Sequence, residues 1–382
     1  MNVLSAQALG ERCLELGFWL PNYTSGGLNR VLSKVVQRLG DNPKAKQIVF
    51  LVDGFGYEQL LEYKAHTPFL RKHLGEDTEI RCGFPSTTVT SLASLTTGLP
   101  AGQTGLVGYS TRHQVAARAV NFIRWEELPE PRQVQRQETI FEKLSAVGIN
   151  SCVVSKREYQ FSNLTAAVLR GGNFVGAGTS AELIDATESI MRKSRFAYLY
   201  WSELDSRGHH YGVGSPQWLN ALEEVDSLVG ALVENLRPNQ ELILTADHGM
   251  VNADLSTSFD LADHPRLGNQ IAVVAGEPRC TQIFLHDASA ETHVAKFSLD
   301  LQEAIGEQGL VLPKNQAIEL GLFGERIAPH VLPTIGDVLV LATGNNIVVD
   351  SLRQSESMRN LAGVHGSLTS AEVRIPRLTF HG

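Results

Sequence analysis

Apolar positions along the chain fall into short unbroken runs separated by stretches of helical period. Gln47-Ile-Val-Phe-Leu-Val-Asp53, Phe196–Trp201 and Glu241–Asp247 are the clearest runs, with Ile149–Ser155 and Val338–Ala342 similar. Unbroken apolar runs suit strands covered on both faces, the pattern of parallel sheets. Between them, Pro216–Leu236 repeats Leu219, Leu222, Val225, Leu228, Val229 and Leu232 at helical spacing. Thr139–Ala146 and Ala181–Arg192 are weaker helical stretches. Strands alternating with helices predict an α/β fold, with a central, mostly parallel sheet sandwiched by helices. The stretch from about 275 to 341 breaks the pattern. It holds the strand-like Arg279–Leu285 and a helix expected over Glu291–Ile305. It is read as a small α+β insertion, before the last core strand, in a single catalytic domain spanning 1–382.

In open parallel sheets, ligands bind beyond the carboxyl ends of the strands. Asp53, Asp205 and Asp247 each follow a predicted strand, Asp205 in a polar loop expected after Trp201. Asp205 is followed four residues later by His209, Asp247 is joined to His248, and His365 lies between glycines in Gly363-Val-His-Gly366. Mixed carboxylate and imidazole ligands suit zinc, with manganese and iron as competitors. Each fragment alone has a plain structural reading: Asp-Gly as a turn, Asp-His as a hydrogen-bonded pair, a glycine-flanked His as a loop residue. The weight lies in their occurring together at strand ends. Phe84-Pro-Ser-Thr-Thr-Val-Thr-Ser-Leu92 and onward to Gly98 reads as a helix N-terminus, with Ser/Thr caps followed by an apolar stripe of Leu92 and Leu95. Free backbone N–H groups there favour an anion, and a hydroxyl placed among them can attack phosphorus.

Composition narrows the partners. Charged residues make up 19% and apolar residues 43%, ordinary globular values. A formal net charge of −8 disfavours a nucleic acid polymer, which demands a basic face. It leaves room for a small phosphate ester, because bound cations reverse the local charge. No apolar window reaches membrane-span length, so no membrane association is expected. The first 20 residues lack the order of a secretory leader, and a cytoplasmic location is expected. Four scattered cysteines, Cys13, Cys82, Cys152 and Cys280, form no CxxC pair and are expected as reduced, buried thiols. The pattern does not reveal an oligomeric state.

Several fragments occur in the order of a known family: Val52-Asp53-Gly54, Pro85-Ser-Thr-Thr88, Thr97-Gly98-Leu99-Pro100, Gly105-Leu-Val-Gly108, Asp205 to Gly212, Thr245-Ala-Asp247-His248-Gly249 and Gly363 to Gly366. The chain resembles the type I phosphodiesterase/nucleotide pyrophosphatase family of the alkaline phosphatase superfamily. The resemblance implies two divalent-metal sites, zinc foremost. One takes Asp205, His209 and His365; the other takes Asp53, Asp247, His248 and the nucleophile hydroxyl. The family's ten-residue spacing to Gly98 selects Thr88 as that nucleophile, with Thr87 its neighbour. Two divalent ions against three carboxylates (4 − 3) leave the site positive by about one charge, which suits an anionic ester. The implied activity is phosphate-ester hydrolysis through a phospho-threonine, with phosphodiesters or nucleotide-type substrates favoured.

The chain also departs from the family. Val89-Thr90-Ser91 replaces the Phe-Pro-Asn that usually follows the nucleophile, so one base-stacking aromatic is missing. Tyr200 matches the other stacking aromatic. Tyr109 stands about where the family has an asparagine that holds a phosphate oxygen, and its phenol can donate a hydrogen bond. Both are expected to bind substrate. A phosphomonoesterase or phosphonate hydrolase shares the metal set and stands as the alternative. A metallophosphotransferase and a catalytically silent metal- or partner-binding protein are the readings from other classes. His264 is open to a cleft or a plain loop role.

Overall fold

The computed structural model describes residues 6–382. The predicted apolar runs form the middle of a seven-stranded sheet. Its order is Glu79–Arg81, Arg374–His381, Gln240–Ala246, Lys46–Val52, Phe196–Trp201, Ser151–Ser155, Asn173–Gly176. The last five strands in that order run parallel to one another. Ile48 to Val52 are buried throughout, because helices cover both faces. One is Pro216–Glu234, capped by Ser215, whose hydroxyl accepts the N–H of Trp218. Its Leu222, Val225 and Val229 are fully enclosed. Each such side chain contributes roughly 1.5–3 kcal/mol by leaving water. The helices Ile140–Ala146 and Ser180–Lys193 complete the predicted set.

Two strands differ from expectation. Val338–Ala342 is not a parallel strand of the central sheet. It lies in a second, four-stranded sheet, paired antiparallel with Cys280–Leu285 and Gly309–Pro313. Its alternate residues enter two cores: Leu339 and Leu341 join the main core, while Val338 and Val340 pack with Phe297, Leu301 and Ile305 of the helix Glu291–Ile305. An apolar run thus reports burial on both faces and leaves strand direction open. The last strand of the central sheet is instead Arg374–His381, antiparallel to Gln240–Ala246. Its buried Leu378 and Phe380 alternate with the more exposed Arg377, Thr379 and His381. Among the described residues, no helix is long and apolar enough to cross a membrane.

Candidate active site and metal centre

Parallel register brings the acidic residues to one edge. Val52 pairs with Ala246 on one side and with Trp201 on the other, so Asp53 and Asp247 leave adjacent strands side by side. Asp205 lies in the first turn of the helix Glu203–Tyr211 that follows Trp201, and His209 stands one turn later. Gly54, at φ +71°, passes so close that an added Cβ would lie 2.9 Å from the Cα of Asp205. Only glycine meets both demands. Gly363 likewise lets its strand lie against Gly208, where an added Cβ would sit 2.5 Å from that residue's carbonyl oxygen. This close approach sets His209 against the segment carrying His365.

The ligand candidates form two groups. One atom from each of Asp205, His209 and His365 lies within 4.8 Å of the others, and the same holds for Asp53, Asp247 and His248. The groups adjoin, since the rings of His248 and His365 stack at 3.6 Å. All three imidazoles are oriented alike. His209 Nδ1–H donates to the Gly363 carbonyl at 2.7 Å, His365 Nδ1–H to that of Ser86 at 2.8 Å, and His248 Nδ1–H to that of Gly249 at 3.0 Å. A carbonyl can only accept, so each Nε2 keeps its lone pair and points into the cluster. Asp205 Oδ1 and Asp247 Oδ2 are buried without a hydrogen-bond partner. Free Nε2 lone pairs and orphaned carboxylate oxygens facing one another are the donor set a divalent cation satisfies.

Electrostatics supports the same fit. Burial raises the Asp205 and Asp247 carboxyls to about 7. Burial, reinforced by Asp247, holds Asp53 well above the usual carboxylate range. Burial lowers His248, and burial with the neighbouring imidazoles lowers His365 much further. Clustered carboxylates resist ionising and clustered imidazoles resist protonation, and cations relieve the first while exploiting the second.

Thr88 opens the helix Thr88–Thr97, with Thr87 at the N-cap position. The Thr88 Oγ1 lies 3.1 Å from His248 Nε2 and 3.4 Å from Asp53 Oδ1. Of the two threonines, Thr88 therefore presents its hydroxyl to the cluster. The helix is held in place by Ser91, whose hydroxyl donates to the Asp247 carbonyl at 2.8 Å.

Residues 47–368 match the type I phosphodiesterase / nucleotide pyrophosphatase family. The chain belongs to that family. Human bis(5'-adenosyl)-triphosphatase ENPP4 is 41% identical over 72 residues, 17% of this chain and 16% of that protein. Its Xenopus laevis counterpart is 27% identical over 248 residues, 60% of this chain and 52% of that protein. The chain thus spans at most about half the length of these relatives. Among solved structures, murine ectonucleotide pyrophosphatase/phosphodiesterase 5, in an inactive threonine-to-alanine form with AMP, superposes with TM-score 0.69 at 17% identity, covering 88% of each chain. Phosphonoacetate hydrolase from Sinorhizobium meliloti, with phosphonoacetate, gives 0.66 at 18%, covering 88% of this chain and 90% of its own. At these identities the likeness is one of fold.

Members of this type I phosphodiesterase family are metal-dependent, and the cluster lies beneath a cavity of about 400 Å³ lined by Asp53, Thr88, Val89, Leu92, Tyr200 and His365 among others. Tyr200 borders that cavity, but its hydroxyl is engaged, donating to Asp53 Oδ2. The sequence gives no sign of that bond, which requires the register pairing Leu51 with Tyr200. Tyr109 borders the same cavity and a neighbouring one of about 500 Å³. Burial raises its phenol, which therefore stays a donor. Its backbone N–H donates to Glu277 at 2.9 Å. His210 borders the first cavity, its Nδ1–H donating to the Ser206 carbonyl. His264 lies outside both ligand groups, stacked on Phe259 at 4.5 Å. Glu277, Arg279, Gln282 and Glu372 are buried polar residues around the site that no local motif betrays.

Proposed function

We propose that the protein is a two-metal phosphoesterase that hydrolyses small phosphate esters through a phospho-threonine, with phosphodiesters or nucleotide-type esters favoured. The observation that carries this is that two three-residue ligand groups adjoin at the stacked His248 and His365 rings, with the Thr88 hydroxyl against Asp53 and His248 of one group. Asp205, His209 and His365 would hold one divalent cation; Asp53, Asp247, His248 and Thr88 would hold the other. Bound there, the ions, zinc foremost with manganese or iron as alternatives, supply positive charge to an anionic ester. Thr88 Oγ1 attacks phosphorus, the bond from phosphorus to the leaving-group oxygen breaks, and the hydroxyl proton passes through solvent to that oxygen, so the leaving group departs as an alcohol or phenol. Water then cleaves the phospho-threonine and restores the hydroxyl. Asp53 and His248 hold Thr88 in register, and the Tyr200 hydroxyl orients Asp53. Tyr109 offers a phenolic donor beside the reacting phosphate.

The diester preference draws on the family and on Tyr200 at the cavity wall. The second reading is a monoesterase or phosphonate hydrolase. Val89 favours it, because a small aliphatic side chain stands where an aromatic would stack a base. Hydrolysis of bis-p-nitrophenyl phosphate against p-nitrophenyl phosphate decides between them. Activity is expected to vanish on chelation, return with zinc and be greater on the diester. Stronger monoester turnover supports the second reading, and no turnover with both cations bound supports a silent binding protein.

Tyr200 has two separable roles. Tyr200→Phe keeps the ring and loses the bond to Asp53, so kcat is expected to fall about 3–10-fold with little change in KM. Tyr200→Ala is expected to raise KM for nucleotide esters more than for small aryl esters. Equal KM effects on both substrates would mean that the ring serves packing alone.

A further inference from the structure

Arg279 and Glu372 form an ion pair in which neither side chain touches solvent. The contact is bidentate: Nε donates to Oε1 at 3.1 Å and Nη2 to Oε2 at 2.7 Å. The remaining guanidinium nitrogen donates to the carbonyls of Thr343 and Asn346 at 3.3 and 2.5 Å. Arg279 follows the strand Ile271–Glu277 of the second sheet, and Glu372 lies in the segment that carries His365. The pair therefore fastens one sheet to the loop of the other.

Its contacts lead to a metal ligand. Glu372 Oε1 also accepts the Ser367 N–H at 3.0 Å, and Oε2 accepts the Thr369 hydroxyl at 2.5 Å. The Ser367 carbonyl accepts the Ser86 hydroxyl at 2.7 Å, whose oxygen in turn accepts the Gly366 N–H at 3.2 Å. The Ser86 carbonyl is the group that orients His365. By contrast, the hydrogen bond from Glu372 to the His248 segment comes from its backbone, the carbonyl accepting the Gly249 N–H at 2.8 Å, and its side chain reaches His248 only through its charge. Removing both charges of the pair together leaves that hydrogen bond in place and the local net charge unchanged. Replacing a buried ion pair by apolar groups of similar volume often leaves folding stability unharmed, so stability alone does not account for this pair.

We propose that the buried Arg279–Glu372 pair positions His365 through Ser367 and Ser86, and thereby sets cation affinity at the Asp205, His209, His365 group without affecting the Asp53, Asp247, His248 group. This rests on the two-metal reading above. Outer partners of metal ligands typically change affinity about 10–100-fold when removed.

The test is zinc binding by chelator competition on the full chain, with folding followed by circular dichroism. The wild type is expected to hold two equivalents. The double variant Arg279→Met/Glu372→Leu is expected to keep one equivalent at wild-type affinity and to weaken the other about 10–100-fold. His209→Ala, which deletes a ligand of the same group, identifies the weakened equivalent. A folded double variant in which neither equivalent weakens, or both weaken alike, overturns the positioning role while leaving the two-metal reading intact. If the double variant does not fold, Ser86→Ala interrupts the same path without a buried charge. It is expected to weaken the same equivalent selectively, and unchanged affinity there would overturn the role. A wild type holding fewer than two equivalents overturns the two-metal reading and this inference with it.

Discussion

Thr88→Ala is expected to lower kcat by at least about 10³-fold while both cations stay bound. The hydroxyl lies 3.1 Å from His248 and 3.4 Å from Asp53, and in the proposed reaction its loss removes the bond-forming atom. Three protein ligands remain to hold the adjoining cation. The fold should not suffer. Thr88 is the first residue of its helix, which is held by the Ser91 N–H donating to the Thr87 carbonyl and by the Ser91 hydroxyl donating to the Asp247 carbonyl. Alanine is a good helix former, so the melting temperature should stay within about 2 °C. Thr88→Ser, which keeps a hydroxyl, is expected to retain part of the activity. Steady-state kinetics, metal analysis and thermal melts check these four outcomes. A fully active Thr88→Ala would move the nucleophile elsewhere, with Thr87→Ala the next variant to measure.

How far the sequence foretells this arrangement depends on distance along the chain. Asp53 and Asp247 were legible because each follows an apolar run that becomes a central strand, Lys46–Val52 and Gln240–Ala246. Asp205 and His209 were legible as a pair four residues apart, but the stretch expected as a polar loop is the helix Glu203–Tyr211, and it is the helix that places both on one face. What local pattern cannot express is a contact between distant segments. The Arg279–Glu372 pair spans 93 residues. The bond between Tyr200 and Asp53 spans 147. Each end looks ordinary until the sheet register brings it to its partner. The misplacement of Val338–Ala342 has a related cause. Its residues face two separate cores, and two-sided burial looks the same in either strand direction.

Removing the cations is expected to lower the melting temperature, by an amount that grows with pH between about 6.5 and 8. Without cations, Asp205 and Asp247 titrate near 7 in the folded chain because burial disfavours their charge. Unfolded, they are ionised throughout this window. The folded state then binds more protons than the unfolded one. A carboxyl raised in this way stabilises the fold most below its unfolded value, and that stability is lost as pH rises through about 7. His248 and His365 are lowered in the folded state, so their opposite effect develops only below about 6.5, where the unfolded imidazoles protonate. Glu277, raised by burial to about 8, lies outside the ligand set. Its effect on the two forms is largely shared and drops out of their difference. Cations bind the ionised carboxylates and neutral imidazoles, so they remove the penalty that the metal-free chain carries at higher pH. At free zinc about a hundredfold above its dissociation constant, each site adds about 2.7 kcal/mol. For a chain of this size that amounts to a rise of roughly 7 °C for two sites. Thermal melts with chelator and with zinc, at pH 6.5 and pH 8, measure the gap directly. A gap that is constant or narrows with pH would mean that these carboxylates do not face the cations.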